Sequence, residues 1–398
     1  MSNLPKASLA ILLVVAIRVS TCLGADLTGD ANIHLGGTFS NARLRFERDK
    51  HGHVAFIGGS ITEMNGYRPM VMEILKRRFP DTDFEFTDAG IASTCSTTGA
   101  FRLFDHVLSK GPVDLLFIEF AVNDDQDAAH ARRECIRGME GIIRHTRVHN
   151  PSADIVVTYF VNPEMLATWQ AGNVPLSVAA HDAVAEHYQV STINLAKEVA
   201  DQITAKTLTW EQFGGTHPKP HGNAIAAAMI DRLMERTWSQ PIVAEAKPHA
   251  LPDPLDPKSY IRGRLIPPTA ARELKEMTIE TPVWKDLKGS SRSRFAKESL
   301  LCAERPGSEL TLPFEGTAVG AYVLAGPDAG IVETSIDGGP YETTNLFHRF
   351  STGLHYPRTV VFNADLAPGP HVLRLRIADS KHPGSTGHAL RVLRFVAN

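Results

Sequence analysis

The sequence predicts an α/β protein built on a doubly wound parallel sheet and followed by a small all-β sandwich. Three observations predict it. Between residues 53 and 236, apolar runs of strand length alternate with stretches of helical period. Seven prolines then fall between Pro241 and Pro268, a density that neither a helix nor a sheet interior tolerates. Beyond them the apolar runs are short and separated by turn residues. A chain of 398 residues, 43% hydrophobic and 21% charged, has the apolar material for a full core and the length for two or three domains.

The N-terminus carries Lys6, an apolar run over residues 7–17 and small residues around Gly24, and reads as a secretory signal peptide of residues 1–24. The run is too short to cross a bilayer and Arg18 closes it. Cys22 offers a less favoured lipid-anchoring site, because Thr21 is larger than the residue that usually precedes a lipidated cysteine. The expected location is secreted or periplasmic. A formal net charge of −3 gives no reason to expect nucleic acid or an anionic membrane as a partner. After cleavage Cys95, Cys135 and Cys302 remain, an odd number without CxxC spacing, so neither a disulfide framework nor a zinc ribbon is indicated. They read as small buried apolar residues.

Strands are expected at residues 53–57, 84–88, 115–119, 155–160 and 190–195. Leu115-Leu116-Phe117-Ile118 is apolar throughout, which fits burial on both faces. Cys135, Ile136, Met139, Ile142 and Ile143 recur at helical spacing, as do Ile225, Ala228, Met229 and Leu233. Five strands with intervening helices imply a doubly wound, flavodoxin-like sheet in an α/β/α sandwich over residues 25–240. Residues 241–283 read as a Pro-rich linker or wrapping segment, and residues 284–398 as the β-sandwich module. Its strands are expected at 309–314, 318–324, 331–335, 358–362, 371–377 and 389–396. Asp337-Gly338-Gly339 is a hairpin turn signal, and Ala367-Pro368-Gly369-Pro370 breaks the chain before the next run. Tyr322, Tyr341, Phe347, Phe350 and Tyr356 either fill the sandwich core or offer a sugar-stacking surface.

Three short stretches carry chemistry. Gly58-Gly59-Ser60-Ile61-Thr62 follows the first strand, where the glycines permit a tight turn that lifts the Ser60 hydroxyl. Ala121-Val122-Asn123-Asp124 follows the third strand, and Gly214-Gly215-Thr216-His217-Pro218 precedes the last helix. A parallel sheet brings all three to one edge, where open α/β sheets place their sites. Serine, asparagine and histidine are the nucleophile, oxyanion donor and general base that acyl transfer requires. Thr62 replaces the second glycine of the α/β-hydrolase elbow and argues against that fold. Asp124, Asp125 and Asp127 lack calcium-loop spacing and read as solvated or capping carboxylates. His217 and His221 flank Pro218-Lys219-Pro220, which precludes the helical spacing of a zinc pair, so no metal is expected. His51 and His53 lie at the opposite end of the first strand.

On these motifs, residues 50–236 resemble the SGNH hydrolase superfamily, also called GDSL-type esterases. The family's first block looks like Gly58-Gly59-Ser60, its second like the run from Asp88 to Ser93, its third like Ala121 to Asp124 and its last like Gly214 to His217. The resemblance implies that Ser60 is the nucleophile and His217 the base. It places the oxyanion on the Asn123 side chain and the backbone N–H groups of Ser60 and Ser93, with no cofactor. Ser93 and Ala121 replace family glycines, but a backbone N–H survives either change. Gly214 stands where the family has the aspartate that orients the histidine. In a serine-protease triad, neutralising that acid lowers turnover by about 10⁴. Candidates for the orienting role are a backbone carbonyl near Gly214 and the carboxylate of Glu211. Some carbohydrate esterases of the superfamily are understood to work with a Ser-His dyad and to carry a β-sandwich, here resembling a galactose-binding-type or jelly-roll module. The resemblance thus implies an exported serine esterase that removes a small acyl group, most simply acetyl, from a carbohydrate. The alternatives are a catalytically silent carbohydrate-binding protein, motivated by Gly214, and a lipid or arylester hydrolase, for which no apolar lid insertion is evident.

Overall fold

The computed structural model describes residues 29–398. The expected signal peptide and Cys22 lie outside the described residues. The first sheet is formed by β1 (Ile33–His34), β2 (His51–Gly58), β3 (Asp83–Gly90), β4 (Leu115–Glu119), β5 (Asp154–Thr158) and β6 (Ser191–Ile193) in the order β1-β6-β5-β4-β2-β3. β2 to β6 are parallel, and the predicted doubly wound sheet is present. It has six strands rather than the expected five, because the two-residue β1 adds antiparallel to β6 at the edge. Two residues are too short for alternation to register in a sequence. β4 and β5 are buried at every position, as both faces carry helices.

The strand order reverses between β2 and β4, and this is where a doubly wound sheet opens a crevice. Register makes the crevice compact: Gly58 pairs with Gly90 of β3 on one side and with Glu119 of β4 on the other. The loops after these strands therefore leave the sheet at one level. On the faces, helix Arg132–His149 buries Cys135, Met139, Ile142 and Ile143, and helix Pro220–Trp238 buries Ile225, Met229 and Leu233, while Ile136 and Ala228 of the same predicted stripes are only partly buried.

The C-terminal strands are β7 (Arg264–Ile266), β8 (Arg272–Lys275), β9 (Thr278–Glu280), β10 (Leu300–Ala303), β11 (Glu309–Glu315), β12 (Val319–Ala325), β13 (Ile331–Ile336), β14 (Glu342–Asn345), β15 (Tyr356–Asn363), β16 (Pro370–Ile377) and β17 (Leu390–Ala397). One antiparallel sheet runs β15-β12-β17-β10-β9 with β7 added beside β17, and the other runs β14-β13-β16-β11-β8. β7, β8 and β9 come from the proline-rich stretch, whose chain extends along the sandwich edges between its prolines. Asp337 and Gly338 both adopt positive φ in the β13–β14 hairpin, and Gly339 N donates to Ile336 O, as a type I′ turn requires.

The two parts share a core. β12 is buried at every position because its faces serve different partners. Val319, Ala321, Val323 and Ala325 join the interior of the sandwich, whereas Tyr322 and Leu324 join the apolar cluster of the α/β part. Arg137 ties the parts electrostatically. Buried on helix Arg132–His149, its Nε donates to Asp256 at 2.7 Å, its Nη2 to Asp365 at 2.7 Å and its Nη1 to the carbonyl of Ala364 at 3.1 Å. Arg137→Met keeps the stem packed but strands Asp256. It is expected to cost about 2 kcal/mol, less than a fully buried pair because Asp365 is solvated. Thermal unfolding checks this, and an unchanged midpoint contradicts it.

Candidate active site

Ser60 opens the short helix Ser60–Glu63 directly after β2. The tight exit needs both preceding glycines. A methyl group built on Gly58 would stand 2.1 Å from Thr62 Oγ1, and one on Gly59 would stand 2.0 Å from Asn123 Oδ1. Asn123, buried at the start of a helical turn after β4, thus lies directly against the backbone that carries Ser60. One N–H of its amide donates to Asp127 Oδ2 at 2.6 Å, which orients the group. Burial raises the pKa of Asp127, and the bond from Asn123 opposes that rise.

His217 reaches the same edge from the opposite side. Its Nε2 lies 2.8 Å from Ser60 Oγ. The loop that carries it is closed by backbone geometry: helix Trp210–Phe213 ends at Gly214 with φ of 107°, Gly215 follows at 87°, and Lys219 N donates to Phe213 O. Asn223 then fixes the loop to the nucleophile side. Its Nδ2 donates to the carbonyls of Pro218 and Lys219, and its Oδ1 accepts from Tyr67 N at 2.8 Å, on the helix that follows Ser60. Sequence reasoning missed Asn223, whose signal was only a polar residue beside the apolar run that begins the buried face of the last helix.

The structure brings Ser60, His217 and Asn123 together but, among the described residues, gives the His217 ring no orienting partner. Among the described residues neither Glu211, exposed on its short helix, nor a carbonyl at Gly214 hydrogen-bonds the ring. Gly214 also explains the missing acid. Its φ is positive, and a Cβ there would stand 2.1 Å from Lys219 N, so this loop excludes aspartate sterically.

Ser93 follows β3 at φ of 71°, in the left-handed region where the family glycine would sit without strain. The second part of the chain closes over this loop. Arg292 Nη2 donates to Ser93 Oγ at 2.7 Å and Tyr356 Oη to Ser93 O at 3.3 Å. Arg294 pairs with Glu63 at 2.8 Å and donates to Gly90 O, while Glu63 Oε2 accepts from Ala92 N. Burial holds the His348 imidazole neutral, with its pKa near 4, and its Nε2–H donates to Asp127 O at 2.8 Å. None of these contacts was legible beforehand, since Arg292 and Arg294 sit in a Ser-Arg run that reads as a solvated loop. Of the aromatic candidates, Tyr322 and Phe347 are core residues, Tyr341 lies under Arg376, and Phe350 alone is both exposed and beside Tyr356.

Asp124 corrects an expectation. It is fully buried rather than solvated, accepts from Ser96 N, Ser96 Oγ and His181 Nε2, and so caps helix Ser96–His106 from across the sheet edge. Burial opposes its charge, yet His130 and His181 hold its pKa well below the usual carboxylate range. Cys95 and Cys135 lie in the same cluster, within 4.8 Å of ligand-type atoms of Asp124 and its histidines. With its oxygens committed to Ser96 and His181, Asp124 serves as a hydrogen-bonded hub. Cys95, Cys135 and Cys302 are free and buried. His53 is buried between Thr87 and Pro112, at the far end of β2.

Beneath the nucleophile lies Glu119, fully buried, with Oε2 accepting from Thr62 and Oε1 unpartnered. Burial pushes its carboxyl up to about 7. The folded protein thus keeps a proton that the unfolded chain releases near the ordinary value of 4.5. Stability carried by that proton is lost as pH rises through this window. The neutral variant Glu119→Gln is therefore expected to gain in thermal midpoint over the parent between about pH 5 and about pH 8. A constant difference contradicts this. For the loop, Gly214→Asp is expected to destabilise by about 1–3 kcal/mol through its forced left-handed backbone and clash; an unchanged midpoint contradicts it.

Comparison with known proteins bears on this geometry. Residues 56–225 match the GDSL-like Lipase/Acylhydrolase family. Search of curated proteins by sequence gives no match. Among solved structures, a two-domain esterase active on acetylated mannans, crystallised with mannopentaose, superposes with a TM-score of 0.75 at 19% identity, over 94% of this chain and 98% of the other. A second structure, of a two-domain esterase active on acetylated mannans, gives 0.76 at the same identity and coverage. At such identity the likeness shows the fold, and it extends through both parts of the chain. The stretch that matches the GDSL-like Lipase/Acylhydrolase family model, residues 56–225, is the one that brings Ser60 and His217 into hydrogen-bond contact and sets Asn123 against Gly59.

Proposed function

We propose that the protein is an exported carbohydrate O-acetylesterase that works through an acyl-enzyme on Ser60. The observation that carries the reading is the 2.8 Å contact between Ser60 Oγ and His217 Nε2 at the switch point of the sheet. Ser60 attacks the ester carbonyl as its proton passes to Nε2. The tetrahedral oxyanion is held by the free N–H of the Asn123 amide and the backbone N–H groups of Ser60 and Ser93. His217 returns the proton to the departing sugar oxygen. Water, activated by the same nitrogen, then releases acetate.

The carbohydrate half of the reading draws on the two-domain esterase active on acetylated mannans, whose fold matches over both domains. It also draws on the exposed Phe350 ring, with Arg349 over its face, near the Asp127 turn. Export draws on the sequence of residues 1–24, and among the described residues no helix is long and apolar enough to cross a membrane. Since the loop geometry excludes an acid at residue 214, its absence is a feature of the loop and does not favour a silent relic.

The test is acetate release from acetylated mannan, acetylated xylan and chromogenic esters of increasing acyl length. The parent is expected to prefer acetyl, and Ser60→Ala and His217→Ala to lose at least about 10³ in kcat with little change in KM. A parent no faster than Ser60→Ala on every substrate contradicts the esterase reading. Preference for long acyl chains contradicts the acetyl assignment.

A further inference from the structure

Ser93 combines two facts that belong together. It is an L-residue at φ of 71°, a conformation that serine disfavours and glycine does not. Its side chain is also gripped from the other part of the chain, by Arg292 at 2.7 Å. Substituting serine for glycine introduces strain and, in the same stroke, supplies the hydroxyl by which the strained conformer can be held. Arg292 has few other engagements. Among the described residues it makes no ion pair, and its Nε is buried without a partner. The rest of the loop is anchored separately, by Glu63 at Ala92, by Arg294 at Gly90 and by Tyr356 at the Ser93 carbonyl.

We infer that Arg292 is a positioning residue for the oxyanion hole: from the β-sandwich part it holds Ser93 in the left-handed conformation that aims its backbone N–H at the reacting acyl group. This rests on the esterase reading above. The sandwich is then a working part of the active site, because the hole is complete only when the loop carrying Arg292 is docked. Direct contact between Arg292 and the sugar is the competing role.

Four proteins test it: the parent, Arg292→Ala, Ser93→Gly and the double variant. Arg292→Ala is expected to lower kcat about tenfold with KM within about twofold, since one oxyanion donor is misaimed and binding is untouched. In the Ser93→Gly background, where glycine adopts positive φ unaided, the same substitution is expected to change kcat by less than about threefold. An undiminished kcat in Arg292→Ala, or an equal loss in both backgrounds, overturns the inference. A rise in KM with kcat unchanged assigns Arg292 to substrate binding and overturns it too. Thermal midpoints of the same four proteins read the coupling without turnover. Arg292→Ala is expected to lower the midpoint more beside serine than beside glycine, and additive midpoints overturn the claim. If the parent matches Ser60→Ala in activity, the esterase reading falls, while the thermal cycle still reports whether Arg292 restrains Ser93.

Discussion

The register of β2 against its two parallel neighbours is the constraint on which the rest depends. Gly58 stands level with Gly90 and Glu119, so three chain segments turn off the sheet at one height. That alignment puts Asn123 against Gly59 and the Ser93 loop beside the Ser60 helix. It also leaves space only for glycine at residues 58, 59 and 90, where a Cβ would approach neighbouring atoms to between 2.0 and 2.3 Å. A slip of one residue would turn every side chain of β2 to the opposite face and dismantle the site with the core.

Docking of the sandwich is the second layer of support. Because alternate residues of β12 serve two cores, the parts cannot separate without exposing Tyr322 and Leu324. The same docking delivers Arg292, Arg294, His348 and Tyr356 to the loops that carry Ser93 and Asn123. The fold match to a two-domain esterase along nearly its whole length is consistent with one architecture rather than a catalytic domain with an appended module.

Much of this was legible in the sequence. The parallel strands carry enough apolar residues to be placed, and the motifs follow strands or precede a helix, so topology alone gathers Ser60, Asn123 and His217. The remainder was hidden for physical reasons. β1 is two residues long, β7 directly precedes a pair of prolines, and β8 and β9 are short, largely polar and exposed, so none of them shows an alternation. Asp124 looks solvated in a run of acidic residues, and its burial depends on Ser96 and His181, which are remote in sequence. Arg292 leaves no local trace, since its partner is 199 positions away. In the sequence Gly214 stands as a missing acid, whereas only its backbone angle reveals that the loop demands glycine.

The central claim is that Ser60 is activated by His217 without a carboxylate. The most direct measurement is covalent labelling of the parent and of His217→Ala by an activated phosphonate ester, with the modified peptide mapped by mass spectrometry. A single label on Ser60 is expected, with a rate that collapses when His217 is removed. A label on another residue, or equally fast labelling of Ser60 without His217, would contradict it.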